Sequence, residues 1–257
     1  MSDVALALRQ VRYTNKAFWR NPASAFFTFA FPLMFLVIFT ALFGNDKVAV
    51  LPGVEVRVST FYVAAIAAFS IITATFTNLA VNVTFTRDAG ILKRIRGTPL
   101  PGWAYMFGRI VHAILVAFLL VIIVTAFGAA FYHARVPSRT LPAFIVTIIL
   151  GAACFSALGL AMTAAIPNAD ASPAIVNATI LPLLFLSGIF IPIESTTAWY
   201  VKLAEVFPVY HFAQAMQKAY FTPTGNGFSW GHLLVLSLWG VAGVVLAVLF
   251  FSWEPRR

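Results

Sequence analysis

In 257 residues the chain carries 61% hydrophobic and 10% charged side chains, with a mean hydropathy of +0.92 and a formal net charge of +9. A soluble domain has about a quarter of its residues charged, so this composition excludes one and calls for lipid around much of the surface. The lone Cys154 excludes an intramolecular disulfide and a CxxC metal site. No basic stripe with interleaved aromatics marks a nucleic-acid surface, and no residue set is expected to bind a metal.

The first predicted element is an amphipathic helix over residues 1–22. Arg9, Arg12, Lys16 and Arg20 recur at helical spacing, Val4, Leu8, Val11 and Phe18 hold another face, and Pro22 ends it. Such a helix lies in the membrane interface. The apolar run behind it is longer than a signal-peptide core and no small-residue cleavage site follows, so the segment is expected to stay in the mature protein.

Charge-free intervals then recur, each long enough for the about 20 residues that a span needs at the helical rise. They predict six helices, near Ser24 to Phe43, Thr60 to Phe85, Met106 to Phe131, Leu141 to Ile166, Ser172 to Ile191 and Ser229 to Phe251. The expected fold class is an all-α integral membrane protein with one domain over 1–257: the interfacial helix, spans one to five over 23–193, an outer segment over 194–228, and span six over 229–251. In the outer segment Trp199, Lys202, Leu203 and Val206 suit one short helix. Pro208 interrupts, and Phe212, Met216, Ala219 and Tyr220 suit a second. These half-helices either re-enter against the spans or lie on the outer leaflet.

Orientation follows from Lys and Arg. With both termini cytoplasmic, the inside holds Arg9, Arg12, Lys16, Arg20, Arg87, Lys93, Arg94, Arg96, Arg109, Arg256 and Arg257. The outside holds only Lys47, Arg57, Arg135, Arg139, Lys202 and Lys218, with Asp46, which obeys the positive-inside rule. Trp19, Trp103 and Trp253 then fall at the inner interface and Trp199 and Trp230 at the outer one, while Trp239 lies within span six.

Between spans two and three sits a basic loop, Arg87 to Pro101. Ile91, Leu92 and Ile95 fall on one side of a short helix, with Lys93, Arg94 and Arg96 around them. Gly97, which tolerates left-handed geometry, and Pro99, which pushes its predecessor out of the helical region, predict an end near Arg96. The loop is either a docking peg or a basic hinge at anionic lipid headgroups.

Within the spans no acidic residue, Lys or Arg lies near a midpoint, which disfavours proton coupling. His112 and His232 fall near span ends and are expected to be interfacial. Span two is the most polar: Ser70, Thr73, Thr77 and Thr84 share an arc, with Asn78 and Asn82 further round. They line a path or hydrogen-bond between helices. Pro32-Leu33-Met34-Phe35-Leu36 in span one echoes Pro182-Leu183-Leu184-Phe185-Leu186 in span five, and a proline in each permits a kink.

The Arg87 to Pro101 loop, together with Phe185-Leu186-Ser187-Gly188-Ile189-Phe190-Ile191-Pro192 and Phe207-Pro208-Val209-Tyr210-His211, resembles the permease subunit of type 2 ATP-binding-cassette (ABC) exporters, most closely the daunorubicin-exporter-like drug-resistance subgroup. The resemblance covers the whole chain. It departs at Asp88, where the family often has Glu, and at Thr197-Ala198, where proline is common before the tryptophan matching Trp199.

What this resemblance implies is a membrane subunit of a bacterial cytoplasmic-membrane exporter for a hydrophobic or amphipathic substrate such as a drug, lipid or lipopeptide. The chain has no GxxxxGK followed by Ser or Thr. ATP and Mg would therefore sit on separate cytoplasmic ATPase subunits, and the chain would pair with a second copy or a sister permease. Ile91, Leu92 and Ile95 would enter a groove on the ATPase, Lys93, Arg94 and Arg96 would orient it, and Asp88 would meet a basic residue there; Arg87 and Gly97 complete the coupling loop. The expected substrate path includes Phe35, Ser70, Thr73, Thr77, Asn78, Asn82, Asn177, Leu183 and Ser187. Export of polysaccharide or lipid-linked glycan is the alternative. A more distant one is an intramembrane hydrolase using Ser187 and His232, although the rhomboid Gly-x-Ser-Gly context and an HExxH helix are missing.

Overall fold

A computed structural model describes residues 3–43, 47–51, 54–193, 199–223 and 225–254. Asp46, Thr197, Ala198, Arg256 and Arg257, used above for topology and resemblance, lie outside the described residues. The elements in order are α1 (Asp3–Trp19), α2 (Pro22–Phe43), β1 (Lys47–Leu51), β2 (Val54–Arg57), α3 (Val58–Ile72), a π turn (Thr73–Thr77), α4 (Asn78–Asp88), α5 (Ile91–Arg96), α6 (Gly102–Tyr132), α7 (Leu141–Met162), α8 (Ser172–Leu186), α9 (Trp199–Ala204), α10 (Pro208–Phe221) and α11 (Trp230–Phe250).

Among the described residues five helical stretches are long and apolar enough to cross a membrane: Pro22–Phe43, Val58–Asp88, Gly102–Tyr132, Leu141–Met162 and Trp230–Phe250. The fifth expected span is shorter than the sequence suggests. Instead of running to Ile191, α8 stops at Leu186, where the Ser187 hydroxyl donates to the Leu184 carbonyl (2.9 Å) and Gly188 takes a left-handed φ of +80°. Ile189 and Phe190 then turn into the core.

Val58–Asp88 is the axis of the bundle. Its most apolar stretch is 94% buried, against 17% for those of α2 and α11. Phe61, Ile66, Ile71 and Ile72 on α3 pack with Leu120 and Val124 of α6, Phe144 and Ile148 of α7, and Phe212 and Met216 of α10. Small residues set the approach. A Cβ at Gly151 would collide with the Phe212 ring, and one at Gly159 would come within 2.8 Å of the Phe76 carbonyl oxygen. Midway, the chain widens into the π turn.

The segment after α2 is an antiparallel hairpin rather than a featureless loop, pairing Lys47 with Arg57 and Val48 with Val56. The alternating Val48, Val50, Val54 and Val56 about Pro52-Gly53 carries that signal. Of the outer helices, α10 is almost wholly buried; the Gln217 amide donates to the Gly188 carbonyl (3.2 Å), and Tyr62 of α3 donates to the Phe190 carbonyl (3.1 Å).

Candidate functional site: the basic segment and two cavities

The basic segment is built in two layers. Its root is Arg87, in the last turn of α4 and 1% exposed. Nη1 donates to the Thr163 carbonyl (2.9 Å), Nη2 to the Ile166 (2.9 Å) and Pro167 (3.3 Å) carbonyls, and Nε to Asp88 Oδ1 (3.1 Å). The other Asp88 oxygen accepts from the Ala169 amide (2.6 Å). These bonds take the carbonyl of Thr163, the C-cap of α7, and two more from the turn that follows it, and so tie α4 to the α7–α8 turn. Both Asp88 oxygens are therefore engaged inside the chain.

Gly90 follows at φ +69°, the left-handed geometry that turns the chain out of α4 into α5. The expected left-handed glycine was Gly97, which instead sits at φ −80°. The end of α5 is made by the Thr98 amide and hydroxyl, both donating to the Ile95 carbonyl (2.9 and 2.6 Å). The helix then presents two faces. Leu92 is 0% exposed among Leu79, Val83, Tyr105 and Leu160, and Ile95 leans on that cluster. Leu92 thus packs into the bundle, because a six-residue helix seated on α4 buries one side. Ile91, Lys93, Arg94, Arg96 and Gly97 remain exposed. Lys93 Nζ lies 4.0 Å from Glu254, a solvated pair worth little. Beside them, Trp253 packs over Gly102, where a Cβ would fall 2.7 Å from its ring.

The expected path residues do not gather in one place. Asn78 and Asn82 line a polar cavity of about 420 Å³ between α1, α2, the π turn with α4, and α6. Leu183 lines an apolar cavity of about 520 Å³ with Phe76, Phe155, Phe207 and Trp239. Phe35 joins an aromatic cluster, its ring centroid 5.7 Å from Phe69 and 6.1 Å from Phe190. Thr73 and Thr77 bracket the π turn half-buried, and Asn177 is exposed on α8. Ser70 is buried and donates to the Ile66 carbonyl (2.7 Å), and Ser187 is likewise spent on its own helix. The π turn touches both cavities, through Ala74 on the polar side and Phe76 on the apolar side. Such insertions are frequent at functional sites.

Sequence reasoning passed over Arg109 and His112 as components of one site. They stand three residues apart on α6, and both line the polar cavity with Gln10, Tyr13 and Thr14 of α1. Their spacing was the available signal. At the opposite end of the bundle His232 Nδ1 lies 2.7 Å from His211 Nδ1, so His232 pairs with another histidine and not with Ser187. Beside that pair, burial, and secondarily the Glu205 carboxylate, push the Tyr210 phenol above its usual range. Among the described residues no group of three His, Cys, Asp or Glu is placed to hold a metal.

The chain is thus an all-α, multi-pass membrane protein with a rooted basic helix at one end. The family model for the ABC-2 type transporter matches residues 8–221, and the chain belongs to that family. It is 24% identical over 155 residues to the "Probable multidrug ABC transporter permease YbhR" of Escherichia coli (strain K12), covering 60% of this chain and 42% of that protein. The chain thus spans less than half the length of that relative. It is also 22% identical over 240 residues to the "Putative transport permease ycf38" of Porphyra purpurea, covering 91% of this chain and 79% of that one.

Proposed function

We propose that the chain is the membrane subunit of an ATP-driven exporter in a bacterial cytoplasmic membrane, working as one of a permease pair, and that α5 is where separate ATPase subunits act on it. The observation that carries this reading is the two-layered loop. The exposed face of α5 offers Ile91, Lys93, Arg94 and Arg96 to a partner, while Leu92 and the Arg87 guanidinium root it in the bundle. A push on α5 is delivered to α4, to the π turn above it and to the α7–α8 turn, all joined by buried contacts. A hinge resting on lipid needs no such root.

The substrate is hydrophobic or amphipathic. Support comes from the apolar cavity between the π turn, α7, α8, α10 and α11, which has the roughly 300–1,000 Å³ volume of small-molecule sites and aromatic walls from Phe76, Phe155 and Trp239. Widening or closing the π turn would alter both the Phe76 wall and the Asn78 side of the neighbouring cavity. ATP and Mg bind on the partner, and both termini and α5 face the cytoplasm. The weakly buried α2 and the exposed Leu181 and Phe185 of α8 leave apolar surface for the second permease.

The test uses tagged chain purified from its native membrane. Wild type is expected to bring down an ABC ATPase identifiable by mass spectrometry, and an Ile91→Ser, Arg94→Glu variant of normal insertion is expected to lose it. Retention of that ATPase at the wild-type ratio would refute coupling through α5.

A further inference from the structure

We propose that the polar cavity between α1, α2, the π turn with α4, and α6 is a binding site for a phosphate ester, occupied by the headgroup of a phospholipid from the leaflet that holds α1, with Arg109 as its charged anchor. This inference does not depend on the export reading.

Arg109 sits two turns into a 31-residue apolar helix. Its Nε donates to the Tyr105 hydroxyl (2.8 Å), and its guanidinium lies 5.1 Å from the Tyr105 ring centroid. Among the described residues no carboxylate comes within ion-pair distance of it, and its Nη groups make no hydrogen bond. A half-buried guanidinium near the inner end of a span, with free Nη donors and no counter-ion, is suited to an anion that enters the cavity. His112, one turn deeper, is part of the same lining.

The rest of the lining fits a phosphate. It contains no acidic residue, and it offers the Asn78 and Asn82 amides with the hydroxyls of Tyr13, Thr14 and Ser24. A planar guanidinium ringed by neutral donors binds phosphate oxygens in pairs. Placement decides between a lipid and a soluble ester. The roof is α1, which crosses α6 so closely that a Cβ at Gly108 would come within 2.5 Å of Gln10 Cβ, and whose Arg9, Arg12 and Lys16 point outward. Such a basic amphipathic helix rests at headgroup level. Below it the wall turns apolar through Leu79, Ala113 and Val116, as the glycerol and upper acyl chain of a lipid require.

The test is native mass spectrometry of the full chain, purified in mild detergent and loaded with phosphatidylglycerol or with a digalactosyl diacylglycerol of the same acyl chains. Wild type is expected to retain phosphatidylglycerol at least about tenfold better, the scale of one charge-assisted contact, and Arg109→Gln to abolish the preference. Asn82→Asp, at an exposed position, puts a carboxylate into the cavity and gives a second variant should Arg109→Gln fail to fold; it is expected to reduce retention at least about fivefold. Equal retention of the two lipids by wild type, or an unchanged preference in folded Arg109→Gln or Asn82→Asp, would overturn the site. Glycerol 1-phosphate displacing the lipid at equal concentration would overturn the lipid as its occupant and assign the cavity to a soluble ester.

Discussion

The two layers of the segment after α4 use the same residue types in opposite ways. Arg87 is sealed in the bundle with three carbonyls and Asp88 around it, whereas the side chains of Arg94 and Arg96, within two and a half turns of chain, donate to no described residue and face outward. Leu92 and Ile91 repeat the contrast among the apolar residues, one fully buried and one 42% exposed. The difference separates what holds α5 in place from what it offers. Substitutions at the root should be read in stability, and substitutions on the face in association.

The largest stability effect is expected at the root. Arg87→Met strands Asp88 and the carbonyls of Thr163 and Ile166, and removing one member of a buried charge pair costs about 3–5 kcal/mol. Thermal unfolding of the detergent-solubilised chain measures it; a melting temperature equal to wild type would show that the clamp is dispensable. Leu92→Ala comes next, at about 2–5 kcal/mol for a buried leucine, with the size set by how far Leu79, Val83 and Tyr105 collapse onto the gap.

A change away from the segment sharpens the contrast. Gly159→Ala pushes a methyl group against the Phe76 carbonyl in the π turn, which cannot swing aside as a side chain would. A loss of about 1–3 kcal/mol is expected, together with altered occupancy of the adjoining apolar cavity by a fluorescent hydrophobic probe. Full stability with unaltered probe binding would remove the π turn from the account. Smallest of all should be Lys93, Arg94 and Arg96 changed together to Glu, which touches only solvated charge and should shift stability by no more than about 0.5 kcal/mol.

How much of this was legible in the sequence depends on whether the cause is local. Charge-free runs showed where helices could cross, since every ionisable group in lipid is costly; Pro208 showed where the outer segment divides, and Gly97 with Pro99 where α5 ends. The early stop of α8 was also written locally, in Ser187-Gly188, but an apolar run to Ile191 outweighed it. The hairpin was written in valine alternation and overlooked beside the spans. The inward use of Arg87 had no local signal at all, because its carbonyl partners lie 76 to 80 residues further on. Three apolar residues on a six-residue helix likewise cannot say which one faces the bundle. The π turn packs against α7, and the apolar and polar periodicity of Thr73–Thr77 does not set it apart from the helix on either side. Arg109 and His112 were visible as residues, but the cavity that joins them to α1 is tertiary.

The most direct test of the coupling role is the charge reversal of Lys93, Arg94 and Arg96 to Glu, read by two measurements on one preparation: the melting temperature of the chain and the ratio of copurifying ATPase to chain. The account predicts an unchanged melting temperature with ATPase recovery reduced roughly tenfold or more, as expected when a complementary charged contact is inverted. An unchanged ATPase ratio in a normally inserted variant would contradict it, and α5 would then be a headgroup-facing hinge.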